Sequence, residues 1–422
     1  MSERKILTDS GIPIYTYLNP FSSGFFISLF IKSGCMYEGD DESGITHFFE
    51  HISIRNVNEL MGGELYRTLD RYGIEFNAST FSEMVQFYMS GATVNFSKAV
   101  PILAKLFEPI VLSASQIDSE RDRIKAEIRE ADDAGSLTAF TTERVFYGTP
   151  LSRPITGTRG SVSCIGKRRL EDYRQRIFVR DNLFVYLTGN VSEGDIELLK
   201  KTLSRVKLYE GTANRNLAPV PQSFLKRQGG VFIKNASYTG IRLSFDVDMS
   251  RVNVPELDLL YDTLLSSYSS PLFMELSEKR GLCYDLCGST ERYKNIGVIS
   301  FGFESGESRL YEAVKVCIGI LADTKRADFW ESVPIGASYT DNCMMLLDDS
   351  RDLNFTFAYD NYLLGLAYPD LASRREAYRG VSRERLCRLC RELFRTEGLT
   401  VTVRGNKKRI DTEKISEICK LL

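Results

Sequence analysis

Only two histidines occur in the 422 residues. They lie four apart, at His47 and His51, with Glu50 between them in the run His47-Phe48-Phe49-Glu50-His51. Four residues is just over one helical turn, so both imidazoles project from one helix face and can meet one ion. Glu50 is three beyond His47 and points near the same side, where a base must stand to take a proton from metal-bound water. The neighbours Ile45, Phe48, Phe49 and Ile52 are apolar, which marks the helix as buried. A buried glutamate is costly without a cation nearby. A catalytic zinc site needs three protein ligands and one open position. With no histidine left, the third ligand must be a carboxylate or a cysteine. The segment 119–130 offers Glu120, Glu127 and Glu130. Glu120 and Glu127 are two helical turns apart and share a face, so either could reach an ion presented by the first helix.

Periodicity supplies the elements that must carry these residues. Strands are expected at 12–18, 25–33, 74–79 and 84–90, and helices at 43–54, 60–72, 96–112 and 115–146. The histidines fall on the first helix and the candidate glutamates on the last. Strands and helices in blocks, without strict alternation, make the fold class α+β. The pattern also repeats. At a constant offset of 216 (385 − 169), Arg169, Leu170, Phe178, Leu183, Val185, Gly189 and Asn190 meet Arg385, Leu386, Phe394, Leu399, Val401, Gly405 and Asn406. Each copy reads as an amphipathic helix, a polar turn and an alternating strand that stops at Gly-Asn. Ala99-Val100 and Ala313-Val314 echo this at an offset of 214 (313 − 99). Two related domains from an internal duplication are therefore expected, at 1–214 and 231–422. Residues 215–230, with two prolines and two glycines, would link them.

Composition narrows the function. The chain is too long for one ordinary core, and 43% hydrophobic with 26% charged residues excludes a disordered protein. A net charge of -2 gives no footprint for nucleic acid or an anionic membrane surface. The run Lys407-Lys408-Arg409 reads as solvated surface. No stretch approaches the roughly 20 apolar residues that span a bilayer. Met1 to Ser10 lacks the apolar core of a secretory signal, and nine cysteines spread from Cys35 to Cys419 form no disulfide framework. A cytoplasmic protein with reduced thiols is the expectation. Cys387 and Cys390 have no second pair or histidine to complete a zinc knuckle, and read as small apolar residues on a helix.

The HxxEH order is the inverted-zincin signature, and with its flanks the chain resembles the pitrilysin, insulin-degrading enzyme and mitochondrial processing peptidase family. The resemblance runs through Ile31-Lys32-Ser33-Gly34, Ser43-Gly44-Ile45-Thr46, Phe76-Asn77-Ala78-Ser79-Thr80, Arg153-Pro154-Ile155-Thr156-Gly157-Thr158, Pro271-Leu272-Phe273 and Arg280-Gly281-Leu282-Cys283-Tyr284. It implies one Zn2+ per chain held by His47, His51 and Glu127, 76 positions past His51 (127 − 51). It also implies Glu50 as general base and Glu120 as a glutamate supporting the ligands. Asn77 and Ala78 match an edge strand that takes substrate backbone as an added strand.

The family also carries an arginine and a tyrosine seven apart in the second half, which bind the substrate carbonyl and developing oxyanion. Tyr284 matches the tyrosine, but Ser277 stands where the arginine should be. Serine supplies no fixed cation. Either Arg280 substitutes from a different geometry, or a partner chain provides the pair. Short members of the family work as dimers enclosing a chamber. The resemblance thus implies a zinc endopeptidase acting on unfolded peptides or a leader segment, as the catalytic subunit of a heterodimer with a related chain in preference to a homodimer. The competing reading is a non-catalytic scaffold or assembly subunit of the same family.

Overall fold

The segment 24–31 reads GFFISLFI, and strand β3 (Gly24–Ile31) is buried almost throughout. Burial on both faces belongs to a strand inside a sheet that is covered twice. The computed structural model describes residues 2–134, 136–225, 230–336, 345–346 and 349–422. It contains two compact units. The first comprises Met1–Ala134, Arg153–Asn216 and Met345–Leu371, and the second Gly135–Ser152, Leu217–Met344 and Ala372–Leu422.

The first unit is built on six strands, β1 (Arg4–Leu7), β2 (Pro13–Leu18), β3, β4 (Glu75–Thr80), β5 (Val85–Ala92) and β6 (Leu183–Gly189), in the order β1-β2-β6-β3-β5-β4. Strand β2 runs parallel to β6, whereas β6, β3, β5 and β4 are successively antiparallel. The second unit has five strands, β7 (Val231–Asn235), β8 (Gly240–Asp248), β9 (Asp285–Arg292), β10 (Ile296–Glu304) and β11 (Leu399–Gly405), in the order β7-β11-β8-β10-β9. Here β7 runs parallel to β11, and β11, β8, β10 and β9 are successively antiparallel. Apart from β1 the topology is the same. These are two related α/β units in an α+β chain.

On one face of the first sheet pack helices α1 (Ile45–Leu60), α2 (Leu65–Tyr72), α3 (Phe96–Ala104) and α4 (Ala114–Ala134), with Phe25, Ile27, Leu29 and Phe87 meeting Phe48, Ile52, Phe96 and Ile124 in one core. The other face, with Tyr15, Tyr17, Phe30 and Tyr186, is closed by Leu353 and Phe357 of the helix Ser350–Ala358. There Asn354 takes a 2.7 Å hydrogen bond from Ser28 Oγ and donates to Tyr186 O at 2.9 Å. In the second unit the helix Leu137–Val145 packs on β8 and β11, and Thr141 Oγ1 lies 2.6 Å from Thr402 Oγ1. Each sheet is thus closed by a helix that the other half of the sequence supplies. The compact units are discontinuous in sequence, whereas the expected halves 1–214 and 231–422 are continuous.

All four expected helices differ from those observed, the run 60–72 being helical only over Leu65–Tyr72. The run 43–54 begins at Ile45 and continues to Leu60, and Gly62 and Gly63, with φ of 66° and 84°, then separate it from α2. The run 96–112 stops at Ala104 and a short turn to Phe107, because Glu108 precedes Pro109 and must be extended, with ψ of 152°. The run 115–146 is two helices, since Ser136 starts the second by accepting from Ala139 N. Residue 135 between them lies outside the described residues. Cys387 and Cys390 sit buried on the helix Arg383–Leu393, as expected of core residues.

Candidate metal and active site

Helix α1 starts where only glycine fits. Gly44 has a φ of 87°, and a Cβ there would stand 2.6 Å from Thr156 O and 2.8 Å from Gly157 Cα. The first free N–H groups of the helix are met by Glu38, whose Oε2 accepts from Gly44 N at 2.9 Å and Oε1 from Thr46 N at 3.0 Å. A carboxylate at that end also suits the helix dipole. Burial nevertheless pushes the Glu38 carboxyl above its ordinary range. Thr46 Oγ1 lies 2.6 Å from the Tyr173 hydroxyl, and Phe48, Phe49 and Ile52 are fully buried. The start and rotation of α1 are therefore fixed by packing before any ion is considered.

That rotation turns His47 and His51 toward α4, with ring centroids 4.7 Å apart. His47 Nε2 lies 3.6 Å from Glu127 Oε1, and His51 Nε2 lies 3.7 Å from Glu127 Oε2. One ligand atom from each of the three residues falls within 4.8 Å of the others. Bonds of about 2.0–2.1 Å to a tetrahedral zinc put neighbouring ligand atoms roughly 3.3 Å apart. The observed separations are longer than good hydrogen bonds and close to that ligand-to-ligand edge. The donor set also fits chemically. Burial, and then His51, lowers the His47 pKa to about 4, which keeps the ring neutral, the form that binds a metal.

Glu120 is on the same face of α4 but reaches the other side of His51, its Oε2 3.4 Å from Nδ1. Arg55 and Arg123 both donate to Glu120. Burial disfavours the charged carboxyl, but these guanidiniums and His51 outweigh it and hold the pKa below the usual range. An ionised Glu120 favours the tautomer with a proton on Nδ1 and a lone pair on Nε2. Glu50 projects from α1 and accepts a 2.5 Å hydrogen bond from Thr80 Oγ1 at the end of β4. Burial raises its pKa, and the Thr80 bond and His51 moderate that rise.

The structure brings together His47, Glu50, His51, Glu120 and Glu127. Asn77 and Ala78 lie on β4, the outermost strand of the first sheet, which β5 pairs on one side only. Ala78 N donates to Asn77 Oδ1 at 2.8 Å. Tyr284 belongs to the second unit and is 97% exposed, just before β9. Ser277 lies in a wide helical turn, Met274–Glu278, and Arg280 beside it pairs with Glu275 at 3.3 Å. Sequence reasoning missed Thr80, Arg55, Arg123 and Glu38. Arg55 and Arg123 carried a usable signal, four residues past His51 and three past Glu120 on the same helix faces.

Comparison with known proteins defines the class. Residues 18–159 match the family model for insulinase, peptidase family M16, and residues 165–332 match the model for the peptidase M16 inactive domain. An uncharacterized zinc protease of Rickettsia bellii is 28% identical over 313 residues, 71% of this chain and 73% of the relative. The uncharacterized zinc protease YmxG of Bacillus subtilis is 22% identical over 326 residues, 76% and 78% of the two chains. The fold matches the crystal structure of a protease from Helicobacter pylori with a TM-score of 0.83 and 18% identity, over 96% of this chain and 99% of the other. The chain belongs to peptidase family M16 and carries both the amino- and carboxy-terminal domains of that family. No described helix is long and apolar enough to cross a membrane.

Proposed function

We propose that this chain is a zinc endopeptidase that cleaves unfolded peptides or leader segments, with His47, His51 and Glu127 as ligands and Glu50 as general base. The observation that carries the reading is the convergence of both Nε2 atoms on the Glu127 carboxylate, with Glu50 held beside them by Thr80. Zinc bound there supplies Lewis acidity for a peptide carbonyl and for the attacking water. Glu50 accepts the proton of that water and returns it to the leaving amine. Glu120 orients His51. The open edge of β4 at Asn77 and Ala78 receives the substrate backbone as a further strand, which tolerates many side chains.

In this reading the first half, 1–214, provides the metal and base, and the second half, 231–422, binds substrate through Tyr284 and joins a second subunit. The expectation of a related partner chain rests on Ser277 standing where the family has an arginine. The proposal is tested by elemental analysis of the purified chain, paired with cleavage of a quenched, unstructured peptide. About one zinc per chain, with zinc and cleavage both lost in His47→Ala and Glu127→Ala, is expected. A chain that binds no zinc and cleaves nothing would instead be a scaffold subunit.

A further inference from the structure

We propose that the carboxyl of Glu83 is a latch beside the candidate site: neutral, it holds the turn between β4 and β5 closed against residues 34–38, and ionised, it releases that turn and the hold of Thr80 on Glu50. The turn is short and closely packed. Phe81 N donates to Met84 O at 2.8 Å, and Met36 N donates to Ser82 O at 2.9 Å. A Cβ at Gly34 would collide with Phe81 O and Ser82 O, so backbone presses on backbone there. Each of the two segments leads into the site. Thr80, three residues before Glu83, donates to Glu50. Glu38, next to Tyr37, accepts from the N–H groups of Gly44 and Thr46 at the start of α1.

Glu83 stands at this junction as a group that the proposed reaction does not use. Its side chain is fully buried, and neither carboxyl oxygen has a hydrogen-bond partner. The Tyr37 hydroxyl, which faces it from the 34–38 segment, is likewise buried without a partner. Lys32, just after β3, and Tyr359, just after the helix Ser350–Ala358, face it from the other elements. They oppose the effect of burial but leave both oxygens without a hydrogen bond.

A neutral carboxyl tolerates such a place far better than a carboxylate, which is costly to bury unpaired. Burial accordingly pushes the Glu83 carboxyl up to about 7. In an open, hydrated turn the same group titrates near roughly 4.3. The closed turn therefore keeps a proton that the open turn gives up, and closure weakens as pH rises from that lower value through about 7. The tip can open alone, because β3 and β5 behind it keep their own ladder from Gly24–Ala92 to Ile31–Val85.

The latch itself does not depend on the peptidase reading; only its effect on Glu50 does. The test follows hydrogen exchange of the full chain with zinc, read by mass spectrometry on segments 34–38 and 80–84 at about pH 5.5 and about pH 7.5, after correction for the intrinsic pH dependence of exchange. The opening constant of the turn is expected to rise at least about tenfold over that range in the unsubstituted chain, and less than about twofold in Glu83→Gln. Glu83→Met serves as the neutral variant should that chain fail to fold. An equal rise in the neutral variant overturns the proposal. So does a turn that exchanges no faster than β3 and β6, since Glu83 would then be released only by global unfolding. Cleavage of a quenched peptide reads the link to Glu50: kcat of the unsubstituted chain relative to Glu83→Gln should fall about two- to fourfold between the same pH values. A ratio that stays constant overturns that link. A zinc-loaded chain that cleaves nothing counts against the peptidase reading, and the exchange experiment still decides the latch.

Discussion

Thr80 donates its hydroxyl to Glu50 Oε2 across 2.5 Å, joining the last residue of strand β4 to the base on helix α1. The edge strand proposed to take the substrate and the carboxylate proposed to handle the proton are thus directly joined. The bond also favours the charged carboxylate against the burial that raises its pKa. Thr80→Val keeps the shape and deletes the donor. It is expected to lower kcat about three- to tenfold, in keeping with the loss of one hydrogen bond to a charged group, and to leave zinc content unchanged. A variant with full kcat would show that Thr80 does not set the base.

Glu120 touches the candidate site through His51. It is buried, shared between Arg55 and Arg123, and faces Nδ1 of a ring whose other nitrogen faces Glu127. Glu120→Gln is expected to weaken zinc binding about ten- to a hundredfold, as loss of such outer partners does, measured by competition with a chromogenic chelator. Unchanged affinity would assign Glu120 to the arginines alone.

Gly44 carries the start of α1. Its φ of 87° and the 2.6 Å approach to Thr156 O leave no place for a methyl group. Gly44→Ala is expected to destabilise the chain by more than about 2 kcal/mol, through left-handed strain and the clash together. Chemical unfolding monitored by circular dichroism measures this. A loss below about 0.5 kcal/mol would mean that the helix start moves freely.

Glu83, after β4, is 1% exposed, and burial pushes its carboxyl up to about 7 against the opposing effects of the Tyr359 hydroxyl and the Lys32 ammonium. Tyr37 also faces it and is itself shifted upward, first by burial and then by Glu83. An unfolded glutamate titrates near roughly 4.3. The folded chain therefore holds a proton that the unfolded chain has released, and stability present below that value is lost as pH rises through about 7. Glu83→Gln, neutral throughout, is expected to raise the thermal midpoint, with a gain that grows from pH 5 to pH 8. A gain that is constant or shrinks over that range contradicts the assignment.

The candidate histidine pair was legible because the composition left so little choice: two histidines, one helical turn apart, with a carboxylate on the same side. Spacing alone left Glu120 and Glu127 equivalent, two turns apart on one face. The structure separates them, since Glu127 faces both Nε2 atoms and Glu120 faces only Nδ1 of His51. The duplication was legible at 169–190 and 385–406 because strand ends and a buried helix face constrain residue type. The closing of each sheet by a helix from the other half was not legible, because Thr141 with Thr402, and Asn354 with Tyr186, are pairings distant in sequence. The bond from Thr80 to Glu50 was not legible because threonine is an ordinary strand residue. The break after Ala134 was readable from Gly135-Ser136, yet the apolar spacing on either side masked it.

The central claim is that Glu50 takes the proton at a zinc held by His47, His51 and Glu127. It is tested most directly by peptide cleavage with the unsubstituted chain and Glu50→Gln side by side, each at a measured zinc content. The account predicts about one zinc in both proteins and a loss of kcat of at least roughly a hundredfold in the variant. Equal turnover, or equal absence of turnover with zinc bound to neither, would contradict it.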